Sequence, residues 1–205
     1  MLKKENIVLL KKQDIAKAGE VLGRALKDDP VSVYVMPNKE KRYENIKHVF
    51  QFTTCMGLRY GEVHATSTNL EGVGVWIPFE TYKEKSWGNF LCSFKAKMWK
   101  VGTEAGKLFK PITEINTRMH LKYAPGKHWY LQSLGVDPEF QRKGYGTLLM
   151  NYMLEKIDKN PLPIFLETST VNNVNFYKKL GFDVLEEATA EGTDVNQFFM
   201  LRPKV

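Results

Sequence analysis

The segment Leu131-Gln-Ser-Leu-Gly-Val-Asp-Pro-Glu-Phe-Gln-Arg-Lys-Gly-Tyr-Gly-Thr-Leu-Leu-Met150 constrains the fold more than any other part of this chain. The pattern predicts a strand over Lys127–Val136, a turn through Asp137-Pro138 and a helix over Arg142–Lys159. A second apolar run, Pro163–Thr168, reads as the next strand. Strand–helix–strand at this spacing requires a right-handed crossover and a parallel pair. Gly144 and Gly146 have no Cβ, so the loop between strand and helix can curl until successive backbone N–H groups face one point. Together with the positive end of the helix dipole, those donors form an anion site suited to a pyrophosphate, with Arg142 and Lys143 at its rim. The glycines alone are equally compatible with a turn that only joins strand to helix.

Two other phosphate loops fit poorly. The G-x4-G-K-[ST] pattern is absent, and a dinucleotide fingerprint needs a third small residue where Leu149 stands. Glu167 follows Gly146 by 21 residues and mimics the ribose-binding acid, but the loop lies late in the chain rather than at its start.

The remaining chain is compatible with a single domain of 205 residues. Asn6–Leu10 reads as a strand, Gln13–Lys27 as a helix stopped by Asp29-Pro30, and Lys39–Leu58 as a helix closed by Gly61. Glu62–Ser67 and Gly72–Phe79 read as a hairpin. A helical insertion is expected over 81–124, with a stripe of Phe90, Leu91, Phe94, Met98, Val101, Ala105 and Leu108, and a further helix starting at Pro111. Asn172–Leu180 reads as a short helix stopped by Gly181, then Phe182–Glu187 and Asn196–Arg202 as strands. A mixed sheet with helices on both faces follows, an α/β fold.

Charge is concentrated in the insertion. Between Lys83 and His128 ten Lys/Arg face only Glu84, Glu104 and Glu114, which accounts for the whole net charge of +7. Such a block is either a wall that attracts an anionic partner or the solvated face of amphipathic helices. Basic residues interleaved with exposed aromatics on a reader fold are not visible, so no nucleic-acid partner is expected. No apolar run approaches a membrane span, and Ile7-Val8-Leu9-Leu10 is too short for a signal peptide. Cys55 and Cys92, 37 residues apart, offer neither a disulfide framework nor a CxxC metal site, and the chain reads as soluble and cytoplasmic.

The motifs resemble the GNAT superfamily of N-acetyltransferases. Gln141-Arg-Lys-Gly144-Tyr-Gly146 is similar to that family's [RQ]-x-x-G-x-[GA] loop, and Leu134-Gly-Val-Asp-Pro138 to the strand and proline turn that precede it. Leu166-Glu-Thr-Ser and Asn173-Val-Asn-Phe-Tyr177-Lys-Lys-Leu-Gly181-Phe182 are similar to its later segments, in the right order over 128–187. The resemblance implies a mixed, mostly antiparallel sheet whose parallel pair, 128–136 and 163–168, splays into a V that holds the pantetheine arm of acetyl-CoA. It implies that Leu134, Gly135 and Val136 meet the arm along the open strand edge. Gln141, Arg142, Lys143, Gly144, Tyr145, Gly146 and Thr147 would hold the pyrophosphate, and Asn173 would contact the same cosubstrate.

Tyr177 then corresponds to the acid that protonates the departing thiolate, a role suited to a phenol. The competing reading is a half-buried core tyrosine beside Phe176. Glu167 is the first candidate for the base that removes a proton from the acceptor, with Gln132, Ser133, His120 and His128 also in reach of the role. An oxyanion would be met by a strand N–H near Val136. The resemblance implies direct acetyl transfer to the amine of a small molecule or peptide, without metal or membrane, by a monomer or homodimer. The rival reading is a CoA-binding regulator or pseudo-enzyme without turnover. One of Asn172, Asn173 and Asn175 is expected to cap its helix.

Overall fold

The structure is a computed structural model that describes residues 3–78 and 86–204, with the side chains of residues 86 and 87 outside that description. Strands Val8–Leu9 (β1), Glu62–Ala65 (β2), Gly72–Pro78 (β3), Trp129–Val136 (β4), Ile164–Thr168 (β5), Asp183–Thr189 (β6) and Asn196–Arg202 (β7) form one sheet in the order β1-β2-β3-β4-β5-β7-β6. Every neighbouring pair is antiparallel except β4 and β5. This is the mixed, mostly antiparallel sheet expected from the sequence.

Helices cover both faces. Ile15–Leu26 (α1) buries Ala18, Val21 and Leu22 against Val63, Val73 and Val75 of the sheet. Tyr145–Ile157 (α6) and Val171–Lys178 (α7) bury Met150, Met153, Val174 and Tyr177 against Trp76, Leu131 and Leu166. Asp29-Pro30 ends α1 as expected but also starts a short helix, Pro30–Val35 (α2). Asp29 caps it by accepting from Val31 N at 3.0 Å, and Pro30 occupies a position that needs no amide donor. Lys39–Tyr60 (α3) is capped by Asn38 and closed at Gly61.

Phe79, the expected end of β3, and residues 81–85 of the expected insertion lie outside the described residues. From residue 86 onward the segment is helical: Ser86–Lys95 (α4), a 3-10 turn at Met98–Lys100, and Thr103–Tyr123 (α5). The expected continuous stripe is broken, because Lys97 (φ 54°) and Gly102 (φ 87°) are left-handed and rotate each helical piece relative to the last. The buried side is Cys92, Ala96, Ala105, Ile112, Ile115 and Met119, whereas Phe90 and Phe94 are 62% and 68% exposed. Pro111 lies inside α5 rather than starting a helix. It removes one amide donor from the ladder, and the Thr113 hydroxyl donates to the nearby Lys110 carbonyl at 2.8 Å. Lys95, Lys97, Lys100, Lys107 and Lys110 are exposed, and the last two pair with Glu104 and Glu114 along the same helix. The described lysines of the block thus lie on a solvent-exposed face.

Cys55 and Cys92 form a disulfide between α3 and α4, contrary to the expectation of two separate thiols. Folding brings their Cα atoms to 5.6 Å, a proximity invisible in a separation of 37 residues. The cysteine count therefore gives no support to a cytoplasmic location.

Candidate active site

The site begins where β4 leaves β5. These strands pair only at Trp129↔Ile164 and Tyr130↔Phe165, so residues 131–136 face the β5 side without a ladder partner. The cause is visible on the other edge of β4. Its register with β3 slips between Val75↔Ser133 and Trp76↔Leu131, which leaves Gln132 as the extra residue of a bulge. A bulge bends its strand and increases the local twist, and β5 stays with β7 through Thr168. The expected V is thus a bulge-driven divergence of two strands that each keep their outer partner.

Gly135 is packed closely by a helix. A Cβ there would lie 2.9 Å from both Ala25 Cβ and Leu22 Cδ2, so its missing side chain admits α1. Beyond β4 the loop is built by its own side chains. Arg24 of α1 binds Asp137 through Nε at 2.8 Å, Gln141 Nε2 donates to the Val136 carbonyl at 3.1 Å, and Lys143 Nζ donates to the Glu139 carbonyl at 2.9 Å. Arg142 (φ 60°) and Gly144 (φ 86°) are left-handed on either side of Lys143, a backbone alternation that turns amides toward one side. The first amides of α6, at Tyr145, Gly146 and Thr147, have no partner within the helix. The exposed rim 141–144 and the start of α6 hold the donors and charge that a pyrophosphate requires.

A cavity of about 750 Å³ opens at the V. Tyr130 to Leu134 of β4, Glu167 and Thr168 of β5, and Asn173 and Tyr177 of α7 line one side, and α2, α3 and α5 supply the other. Val136 is not among the lining residues, so the cavity meets β4 at Leu134 rather than at the expected oxyanion donor. Thr170, not an asparagine, caps α7 by accepting from Asn173 N at 3.3 Å. The Asn173 side chain donates to Thr168 Oγ1 at 3.0 Å, which fixes it at the mouth of the V.

Glu167 is half-buried in the cavity wall. Its Oε1 accepts from the Tyr130 hydroxyl at 2.5 Å and from Asn116 Nδ2 at 3.2 Å, while Oε2 is buried without a donor. Burial pushes its carboxyl up to about 7, against the lowering effect of the Tyr130 hydrogen bond. Tyr177 packs its ring against Phe176 and Phe182, so the core reading and the cavity reading are both true of it. Its hydroxyl is held far above the ordinary phenol range by burial first, then by the charges of Glu167 and Asp29. The other base candidates divide. Gln132 and Ser133 line the cavity, as does His120. His128 does not line it: its Nδ1 lies 2.7 Å from the Gly126 carbonyl and its Nε2 2.5 Å from His120 Nε2, and burial lowers its pKa.

Asp29 is the residue that sequence reasoning missed. It lines the cavity from the start of α2, and burial raises its carboxyl to about 6 against the opposing Val31 amide. The Asp-Pro pair reads as a helix stop, and nothing local in it signals a carboxylate lining the same cavity as Tyr177. Among the described residues no group of three or more His, Cys, Asp or Glu side chains is placed to hold a metal, and no helix is long and apolar enough to cross a membrane.

Comparison with known proteins agrees with this architecture. Residues 108–182 match the acetyltransferase (GNAT) family. An uncharacterized N-acetyltransferase of Schizosaccharomyces pombe is 28% identical over 178 residues, covering 83% of this chain and 71% of that protein. The histone acetyltransferase HPA2 and related acetyltransferase from Corynebacterium glutamicum superposes with a TM-score of 0.64 at 17% identity, over 98% of this chain and 96% of the other. Arylalkylamine N-acetyltransferase 2 from Aedes aegypti superposes with a TM-score of 0.60 at 14% identity, over 96% and 97% of the two chains.

Proposed function

We propose, from the match of residues 108–182 to the GNAT acetyltransferase family and from a fold shared with solved acetyltransferases, that this chain is a member of that family and transfers an acetyl group from acetyl-CoA directly to an amine bound in the cavity. The observation that carries the proposal is the convergence of Glu167 and Tyr177 on one cavity at the end of the splayed pair. The residues present fit the cosubstrate: an unpaired strand edge for an amide-containing arm, and a left-handed loop leading into free helix amides for a pyrophosphate. Acetyl-CoA supplies an activated acyl carbonyl when bound. Leu134, Gly135 and Val136 offer the strand edge. Residues 141–147 offer the anion cradle, and Asn173 is held beside the end of β5 by Thr168. We treat the chain as one domain whose helical segment, described from residue 86 to 124, supplies the acceptor-side wall.

Glu167 takes a proton from the arriving ammonium, leaving an amine lone pair free to form the new C–N bond. The C–S bond breaks, Tyr177 gives its proton to the sulfur, and the second proton of the attacking nitrogen restores the phenol. The proton on Glu167 leaves to solvent, so one amide, one thiol and one released proton balance one ammonium and one thioester. A carboxyl near 7 is matched to this work at neutral pH. A cation between Asp29 and Glu167 offsets the charges that hold up the Tyr177 proton, which makes the phenol a better acid when the acceptor is in place.

The pH profile of Glu167→Gln tests the assignment. Wild-type kcat/KM is expected to rise with pH through about 7 as Glu167 ionises. The variant should lose that limb and about 10²–10⁴ in rate. A variant within about threefold of wild type that keeps the limb overturns Glu167 as the base.

A further inference from the structure

Charge and hydrogen-bonding capacity are distributed unevenly in the cavity. The acceptor-side walls are apolar, with Ile46, Val49 and Phe50 from α3 and Phe109 and Ile112 from α5. Asp29 and Glu167 are both carboxylates, and no Lys or Arg lines the space among the described residues. The neutral polar groups share this bias. Asn116 Oδ1, Gln132 Oε1, Glu167 Oε2 and Gln197 Oε1 are buried acceptors with no donor among the described residues, and all four residues line the cavity. Asn116 is oriented by its own donation to Glu167, which leaves its oxygen over. Buried acceptors left unmade cost free energy, so these four oxygens favour a ligand that brings N–H groups. A primary ammonium brings three, with a positive charge.

Resting on the acetyl-transfer reading above, we infer that the acceptor is a compact primary amine on an uncharged apolar body, and that Asp29 collects its ammonium beside Glu167. Asp29 is fixed for this by its place at the start of α2, where one oxygen is held by the Val31 amide and the other has no donor among the described residues. Asp29, Glu167 and Tyr177 line the same cavity, and the charges of both carboxylates reach the Tyr177 hydroxyl. A second cationic group on the acceptor would therefore be desolvated against apolar walls. An anionic group would face two carboxylates at low dielectric with no Lys or Arg among the described lining residues to offset them. The lysines of the helical segment offer no relief, since they lie on its solvated face.

Steady-state kinetics on the full chain with acetyl-CoA test this, using phenethylamine and hexylamine against putrescine, a phosphorylated amino sugar and a lysine-containing peptide. The apolar monoamines are expected to lead in kcat/KM by about tenfold or more. Asp29→Asn keeps an N-cap of equal quality and removes the charge. It should raise the KM of the preferred amine about tenfold or more, and leave the KM of acetyl-CoA within about twofold. Preference for the diamine, the phosphorylated amine or the peptide overturns the inference and leaves acetyl transfer standing. So does an unchanged amine KM in Asp29→Asn. Failure to acetylate any amine, with acetyl-CoA bound, overturns the proposed function itself and the inference with it.

Discussion

Tyr177 shows how one side chain packs in the core and lines the cavity at once. Its ring lies among the core residues of β5, α6 and α7, edge-on to Phe176, and it also forms part of the cavity wall. Tyr177→Phe removes one hydroxyl and keeps those contacts. We expect kcat to fall by about 10²–10⁴ with the acetyl-CoA affinity little changed. A rate within about threefold of wild type would remove Tyr177 from the proton path. At this scale the motif residues were legible in the sequence, because a short pattern such as N-x-x-x-Y-x-x-x-G-F fixes identity and spacing together. Asp29 was not, since Asp before Pro has a sufficient local explanation and the other cavity residues, Glu167 and Tyr177, are distant in sequence. Gly135 was legible as a point of close approach, but its partner, α1, depends on tertiary packing.

At the scale of elements, the loop from β4 into α6 depends on a glycine in the left-handed region. Gly144 precedes the first helical residue at φ 86°, a conformation that a β-branched residue resists. In Gly144→Val the loop must find another path, and its amides no longer face one point. The Kd for acetyl-CoA should rise about tenfold or more, measured by calorimetry, before the thermal midpoint moves appreciably. Unaltered affinity would mean that the pyrophosphate lies elsewhere. Strand–helix–strand rhythm and turn chemistry made the C-terminal elements readable from sequence. The helical segment after β3 was not, because the left-handed residues at 97 and 102 reset the phase of its apolar pattern. A stripe that looked continuous in sequence therefore leaves Phe90 and Phe94 exposed. The bulge at Gln132, which opens the V, has no sequence signal at all; only its consequence followed from the family resemblance.

For the molecule as a whole, the carboxylate proposed as the base works against stability. Glu167 stands near 4.5 in an unfolded chain and near 7 when folded, so folding favours its protonated form. Stability from this group is present below its unfolded value and is lost as pH rises through about 7. Above pH 7 the loss approaches about 3 kcal/mol. Glu167→Gln is free of that penalty. Its thermal midpoint should exceed wild type by roughly 5–10 °C at pH 8, with the gap narrowing toward pH 5. A gap of the same size at both pH values would contradict the buried, donor-poor environment assigned to this carboxylate.

Acetyl transfer itself is the claim on which all of this rests, and product analysis tests it most directly. The chain is incubated with acetyl-CoA and the amine panel, free CoA thiol is titrated over time, and the amines are analysed by mass spectrometry. The expected result is one acetylated amine for each thiol released, catalytically and in excess of the enzyme. Saturable acetyl-CoA binding with no acetylated amine and no thiol above the enzyme-free rate would contradict it, and would leave a cradle that binds the cosubstrate without turnover.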